Sequence, residues 1–254
     1  MKVSVVIPYF NGRGAFLEAV QSVLLQTPES PELIIVDDCS SEESKEYLSE
    51  ASKLGARIIT LEENVGQSEA RNIGARYSSS QFLCFLDQDD VLLSFHNHQL
   101  KEVFSLQPDT DLVVGKYVLD ETGLINPAEE SAEPEHKQLK RDEIIRHLTK
   151  GLDYVPGAMM VRREVFLSLN GFDRELRGFE DEDFVVRAIS SGHKVVATST
   201  PVLYWRQNHY SSSYSYSFLK SRSHYLNKLA TSADTLGINK PQLAQLWFRY
   251  ELLT

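Results

Sequence analysis

The sequence predicts an α/β protein: a mostly parallel, doubly wound sheet, a mixed second half and C-terminal helices. Three observations carry this. Apolar, β-branched runs of strand length (VSVVIP, LIIVD, ARIIT, FLCFL) recur through the first 118 residues. Segments with helical apolar spacing separate them. The runs are apolar almost throughout, as in strands covered on both faces. Strands alternating with helices at this spacing imply a parallel sheet with helices on both sides.

Residues 2–8 form the first predicted strand. After Asn11-Gly12, the segment from Arg13 to Gln26 places Phe16, Val20, Val23 and Leu24 on one helical face. A second strand (ELIIVDD) follows, and Ser40 or Ser41 suits the N-cap of a helix whose first turns hold Glu42, Glu43 and Glu46. ARIITLEE reads as a third strand, GQSEARNIGARY as a helix despite Gly74, QFLCFLD as a fourth strand, Phe95 to Leu106 as a helix and DLVVGKYVL as a fifth strand. Asp120 to Gln138 is polar, acidic and proline-containing, hence a surface loop. Leu139 to Lys150 reads as a helix. GAMMVRR is a strand, followed by a short helix and the turn LNGFDREL. Asp181 to Ser191 is a helix stopped by Gly192. HKVVATS and PVLYWRQ read as two strands, His209 to Ser217 as a Ser/Tyr-rich loop, and the chain from about Phe218 as helical. The organisation expected is one compact unit with parts 1–118, 119–217 and 218–254.

Composition narrows the function. The 254 residues carry 36 acidic and 26 basic side chains, a net charge of -10. With no Lys/Arg run, this charge disfavours nucleic acid, whose phosphates need clustered cations, and broad docking on anionic lipid. Cys39 and Cys84 read as small, reduced core residues of a cytosolic protein and not as a metal pair. No apolar stretch reaches 18 residues, and MKVSVVIPYF lacks the features of a signal peptide, so the expectation is a soluble, cytoplasmic chain.

Open parallel sheets bind ligands beyond the carboxyl ends of their strands. That rule gathers Pro8, Tyr9, Asp38, Asn64, Asp87, Asp89 and Asp90 on one rim. Asp37-Asp38 also suits a plain strand-ending turn. The acidic cluster does not, because a turn needs one Asp or Asn and not three. Carboxylates this close raise one another's pKa or recruit a cation. Mg²⁺ or Mn²⁺ held by one or two of them keeps positions open for phosphate oxygens.

On VSVVIPYFNG, LIIVDDCSSE, ENVGQSEARNIG and FLDQDDVLL, and then GAMMVRREVFLSLNGFDREL, GFEDEDFVVRAISSGHKV and VLYWRQNHYSSSYS, the chain resembles the family 2 glycosyltransferases of GT-A fold. The match runs in order from Lys2 to about Ser217. The resemblance implies an inverting transfer of a sugar from a nucleotide-diphosphate donor, a UDP-sugar above all, to a hydroxyl of a glycan or lipid-linked acceptor. A lipid-linked acceptor would bring the chain to the inner face of the membrane through a partner or its C-terminal helices. By similarity, the loop after Pro8 (with Tyr9) and Asp38 hold base and ribose. Asn64, Gly66, Arg71 and Asn72 match the N-x-G…A-R-N-x-G segment, with Arg71 near the nucleotide and Asn72 bracing the strand-end loops. Asp87, Asp89 and Asp90 match D-x-D-D, which implies donor binding by Asp87 and Asp89, with Asp89 near the ribose or the metal and Asp89, Asp90 or both ligating Mn²⁺ or Mg²⁺. His209, one position later than the common spacing, is a further candidate ligand. The aromatics Tyr204, Trp205, Tyr210, Tyr214 and Tyr216 could wall an acceptor site.

GFEDEDF has a reading of its own. A helix starting near Glu180 puts Asp181, Phe184, Val185, Ala188 and Ile189 on one face, and sets Asp183 and Arg187 as an i,i+4 pair. Compensation of the helix dipole accounts for Glu180 and Glu182. Asp181, leading the buried stripe, is the catalytic base by resemblance. Two rival readings remain: FLDQDDV also suits the nucleophile motif of haloacid-dehalogenase-type phosphatases, and a non-catalytic sugar-nucleotide or glycan-binding subunit would share the rim. The G-x-G of NGRG lacks the third glycine of a dinucleotide turn, since Leu17 stands there.

Overall fold

The computed structural model describes residues 1–119, 134–141, 148, 154–206 and 216–251, with backbone alone at 216–219 and 249–251. Strands β1 (Val3–Tyr9), β2 (Glu32–Asp37), β3 (Arg57–Thr60) and β4 (Phe82–Phe85) alternate with helices α1 (Gly14–Leu24), α2 (Lys45–Lys53) and α3 (Gln67–Tyr77). A two-residue strand β5 (Val91–Leu92), helix α4 (His96–Leu106), β6 (Leu112–Leu119), β7 (His136–Leu139), β8 (Met159–Arg162), and helices α5 (Arg163–Ser168) and α6 (Glu180–Ser190) come next. The described part closes with β9 (Val195–Trp205) and helices α7 (Tyr216–Thr231), α8 (Ala233–Leu236) and α9 (Lys240–Glu251).

Among the described residues these strands make one nine-stranded sheet of order β3-β2-β1-β4-β8-β6-β9-β5, with β7 also on β9. The β3-β2-β1-β4 half is parallel. β8 runs antiparallel to both β4 and β6, and β6 is parallel to β9. Side chains alternate between faces along each strand. Val6, Ile34, Val36, Leu83 and Phe85 therefore pack with α3, α5, α6 and α7. Val5, Ile7, Leu33, Ile35 and Cys84 pack on the other side with α1, α2 and α4. Both faces of β1, β2 and β4 are dry, which is why their sequences show no alternation.

Two packing features set α3 and α6 at the carboxyl end of the sheet. Gly74 lets α3 ride close on the strands: a Cβ there would sit 2.3 Å from a Val6 methyl and 3.2 Å from one of Val36. Four phenylalanines from β4, α5, α6 and the loop between the two helices form a second anchor. Phe85 meets Phe166 and Phe172 at ring separations of 5.0 and 4.9 Å, and Phe184 meets Phe166 and Phe172 at 5.1 and 5.4 Å. Such pairs add about 0.5–1.5 kcal/mol each beyond burial. They fix α6 against the strand that carries the acidic cluster.

Several elements depart from the sequence reading. The two strands expected after His193 are one, β9. Its neighbours β6, β7 and β5 carry it past Pro201, which has no N–H to give, at the point where the register with β6 shifts. The end of the expected 120–138 loop is β7, and Leu139 closes that strand; most of the helix expected there lies outside the described residues. Neither Ser40 nor Ser41 makes a capping bond. A 3₁₀ turn (Glu42–Ser44) precedes α2, and the Ser40 hydroxyl instead accepts from the Asn11 amide at 3.0 Å. Cys84 is a core residue as expected. Cys39 is not: β2 has ended, the backbone turns left-handed (φ 65°), and the thiol is exposed, 3.5 Å from the Glu62 carbonyl. No helix among the described residues is long and apolar enough to cross a membrane.

Candidate active site

The carboxyl ends of β1, β2 and β4 bring the predicted rim together. Asp38 is buried, and its two carboxylate oxygens accept the Val65 and Gly66 amides at 2.6 and 2.8 Å. The exposed Asn64 donates its side-chain amide to the Asp38 carbonyl at 3.2 Å. Asp38 thus shapes the loop ahead of α3. An open cleft of about 550 Å³ lies against Leu61, Glu62, Glu63 and Val65 of this loop.

Pro8 and Tyr9 lie lower than expected. Both are buried in β1. The Tyr9 ring is 0% exposed, and its hydroxyl donates to the Gly12 and Ser44 carbonyls at 3.0 and 2.7 Å. Burial pushes this hydroxyl up to about 12. The Tyr9 side chain therefore supports the rim from beneath and cannot contact a donor. Above it, the Gln88 amide accepts from the Phe10 N–H at 2.9 Å and donates to the Phe10 carbonyl at 3.2 Å. This reciprocal pair ties the acidic loop to the loop after β1.

The acidic cluster divides by depth. Asp87 is 35% exposed at its side chain and Asp89 is half-buried, while Asp90 is only 2% exposed. Asp90 accepts the Arg206 backbone amide at 3.0 Å, fastening the cluster to the end of β9. Burial, and then the neighbouring Asp87 carboxylate, push Asp90 up to about 9.

Arg71 is the hub. Its guanidinium is 0% exposed and forks between an ion pair with Asp87 and one with Glu180 at 2.6 Å. Gln67, one turn earlier on α3, donates to the same Glu180 oxygen at 2.8 Å. Arg71 also lies over the Phe172 ring, 5.8 Å from its centroid. The two carboxylates outweigh the cost of burial and raise the Arg71 pKa, locking it as a cation. One buried cation therefore joins the motif after β4 to the first turn of α6.

That first turn differs from the helical-wheel expectation. Glu180, Glu182 and Asp183 are all buried, and Asp181 is the most accessible of the four acids. Burial was possible because donors were waiting: Arg71 and Gln67 for Glu180, Arg187 and Lys228 (both 2.7 Å) for Asp183. The expected Asp183–Arg187 pair is present. One Asp181 oxygen accepts the Glu182 amide at 2.8 Å. Surrounding protein and the Glu180 charge hold the Asp181 carboxyl well above the usual carboxylate range. The preceding residue, Phe179, is left-handed (φ 66°) and stacks on Tyr225 at 5.7 Å and 9°. A non-glycine residue there costs roughly 1–3 kcal/mol, a strain found where a site dictates the turn.

Asn72 is another correction. Its amide exchanges two hydrogen bonds, each 2.8 Å, with the Phe172 backbone, so it braces the loop before α6 and not the strand ends. Tyr204 is buried in β9, and Trp205 packs edge-on against Tyr117, so neither is an open sugar platform. His209, Tyr210 and Tyr214 lie outside the described residues, as does the Tyr216 side chain. Glu180 and Gln67 are the participants sequence reasoning missed. The i,i+4 spacing of Gln67 and Arg71 was a usable signal, since it aims an amide and a cation from one face of α3.

The cluster suits an open cation site. Among the described residues no three His, Cys, Asp or Glu side chains converge to enclose a metal. What the protein offers is one or two hard carboxylates, a set that leaves positions for phosphate oxygens. Burial lifts Asp90 most and repulsion from Asp87 lifts it further; a divalent cation between these groups would relieve that repulsion.

Comparison with known proteins agrees. The family model "Glycosyl transferase family 2" matches residues 4–169, more than half of the chain. A second model, "N-terminal domain of galactosyltransferase", matches residues 149–211. An uncharacterized glycosyltransferase of Haemophilus influenzae is 27% identical over 191 residues, 74% of this chain and 62% of that protein. The chain spans less than two thirds of the curated relatives first in similarity. In fold it is similar to Staphylococcus aureus TarS 1-349 solved with UDP-GlcNAc (TM-score 0.72, 19% identity, covering 93% of this chain and 70% of that one). It is also similar to a Pyrobaculum calidifontis mannosyltransferase solved with GDP-Man and Mn²⁺ (TM-score 0.68, 15% identity, 99% and 71%). The phosphatase reading finds no support in these relatives, and its nucleophile, Asp87, is here committed to Arg71. The GT-A fold, the ordered motifs and the matching family model show that this chain belongs to glycosyl transferase family 2.

Proposed function

We propose that the protein is an inverting glycosyltransferase that moves a sugar from a nucleotide diphosphate, most simply UDP, to an acceptor hydroxyl, with Asp181 as general base. One observation carries this reading: Arg71 ties both Asp87 and Glu180, so the acidic motif and the Asp181 turn face one site. The donor belongs to residues 1–118, with Asp38 and Asn64 at the nucleotide side, and the acceptor to residues 119–217. Asp89, backed by Asp90, would hold Mn²⁺ or Mg²⁺; such an ion offsets charge on the departing diphosphate. The Mn²⁺ of the mannosyltransferase of the same fold supports that assignment, and His209 is a further candidate ligand. Arg71 offsets one of the two negative charges of Asp87 and Glu180 and so limits the negative charge around a dianionic donor. Asp181 receives the acceptor proton: its raised pKa makes it a stronger base than an ordinary carboxylate. Attack from the face opposite the leaving group inverts the anomeric carbon in one step. The acceptor is a glycan or lipid-linked saccharide, the latter placing the protein at the inner membrane face.

Asp181→Asn tests the reading. It should leave sugar-nucleotide binding near the wild-type value and lower kcat by roughly 10²–10⁴-fold, the usual worth of a general base. Wild-type turnover in this variant would remove Asp181 from the chemistry.

A further inference from the structure

Four residues before Asp181, Arg177 presents a cation that no described side chain pairs with. The loop from Leu176 to Glu180 crosses the start of α3: the Ser68 hydroxyl donates to the Leu176 carbonyl, and Gln67 and Arg71 reach Glu180. The Arg177 amide donates to the Ser221 hydroxyl of α7 at 2.6 Å, so its backbone is fixed from the far side. Its side chain then lies across Gly66. A Cβ on that glycine would stand 3.0 Å from the guanidinium carbon and 3.1 and 3.2 Å from two of its nitrogens. Gly66 (φ 88°) supplies both the backbone turn and the room for the guanidinium to lie there.

The guanidinium is exposed and makes no ion pair or side-chain hydrogen bond with any described residue, in a chain with ten more acids than bases. Two acids of this junction are already engaged. Asp38, bound to the Gly66 amide, has both oxygens on backbone N–H groups, and Glu180 is held by Arg71 and Gln67. A planar, permanently charged fork of N–H donors, open at the junction of the nucleotide-side loop and the Asp181 turn, matches the geometry of a phosphate.

We propose that Arg177 is a phosphate-binding residue of the donor site, gripping the nucleotide diphosphate from the Gly66 side, opposite the acidic cluster. This rests on the donor assignment above. The guanidinium meets the phosphates from one flank and the carboxylate-held cation from the other, so the two divide the donor's charge.

The test is calorimetric binding of UDP, GDP, uridine and guanosine to wild type, Arg177→Gln and Arg177→Lys, at low and high salt. Loss of one charge-assisted phosphate contact should weaken diphosphate binding about tenfold and flatten its salt dependence, with nucleoside affinity unchanged. Lysine, a point charge without the fork, should recover only part of the loss. If wild type binds a nucleotide diphosphate and Arg177→Gln binds it equally well, the Arg177 assignment is wrong and the donor site stands. The same holds if only the acceptor KM moves, which would place the anion on the acceptor. If wild type binds neither diphosphate, the transferase reading falls, and Arg177 with it.

Discussion

Replacing Arg71 by leucine tests the coupling at the heart of the site. The substitution keeps an apolar stem against Phe172 but strands two carboxylates. Glu180, with a side chain 4% exposed, loses its only cation among the described residues and keeps the Gln67 amide alone. Breaking a buried pair in this way costs about 3–5 kcal/mol, the lower end applying where a hydrogen bond survives. Asp87, 35% exposed at its side chain, is screened by water and adds no more than about 1 kcal/mol. The sum, about 3–4 kcal/mol, corresponds to a fall in Tm of roughly 10 °C for a domain of this size. Differential scanning calorimetry reads the stability, and single-turnover transfer reads the activity. Adding Glu180→Gln to Arg71→Leu removes the stranded charge, so the double variant should regain much of the stability but not the rate. Arg71→Lys should fall between, because one ammonium cannot fork to two carboxylates on opposite sides. An Arg71→Leu protein with wild-type Tm and turnover would refute the argument.

Two further outcomes concern titration. Because the Asp181 carboxyl is raised, the base form of the enzyme appears only as pH climbs through that elevated value: kcat/KM should rise with pH to a plateau, and Asp181→Asn should erase this limb. His96 behaves oppositely for stability. It is 0% exposed between the Asn97 side chain and the Gly157 carbonyl, each 3.0 Å away, and burial lowers its pKa to about 4. The unfolded chain takes this proton near pH 6.5 and the folded protein only near 4, so stability should drop by about 2 kcal/mol between pH 7.5 and 5. Urea unfolding across that range, compared with His96→Gln, isolates the contribution; identical slopes would contradict it.

The parallel half of the fold was legible because β1, β2 and β4 are dry on both faces and its helices are amphipathic. Lys2–Pro8 and Glu32–Asp38 fall within a residue or two of β1 and β2 for that reason. The mixed half was not legible, because its elements depend on distant partners. β7 exists through its pairing with β9, and Pro201 argued locally for a break that three neighbouring strands override. The rim residues Asp38, Asp87, Asp89 and Asp90 were visible as acids at strand ends. Their division of labour was not, since depth below the rim decides it: Asp90 is sealed beneath β9 while Asp87 turns to Arg71. Glu180 escaped notice because a helix-dipole account was sufficient from sequence alone. Only the packing of α3 against α6 shows that a buried guanidinium holds it.

In the proposed reaction the acidic cluster after β4 receives the donor diphosphate through a shared divalent cation. Calorimetric titration of wild type and Asp89→Ala with UDP-GlcNAc, UDP-glucose and GDP-mannose, each with Mn²⁺ and again in EDTA, tests it most directly. The account predicts wild-type binding of at least one sugar nucleotide that weakens about tenfold or more in EDTA, and an Asp89→Ala protein that is weak in both conditions. Equal affinity with and without metal, unchanged by Asp89→Ala, would contradict it.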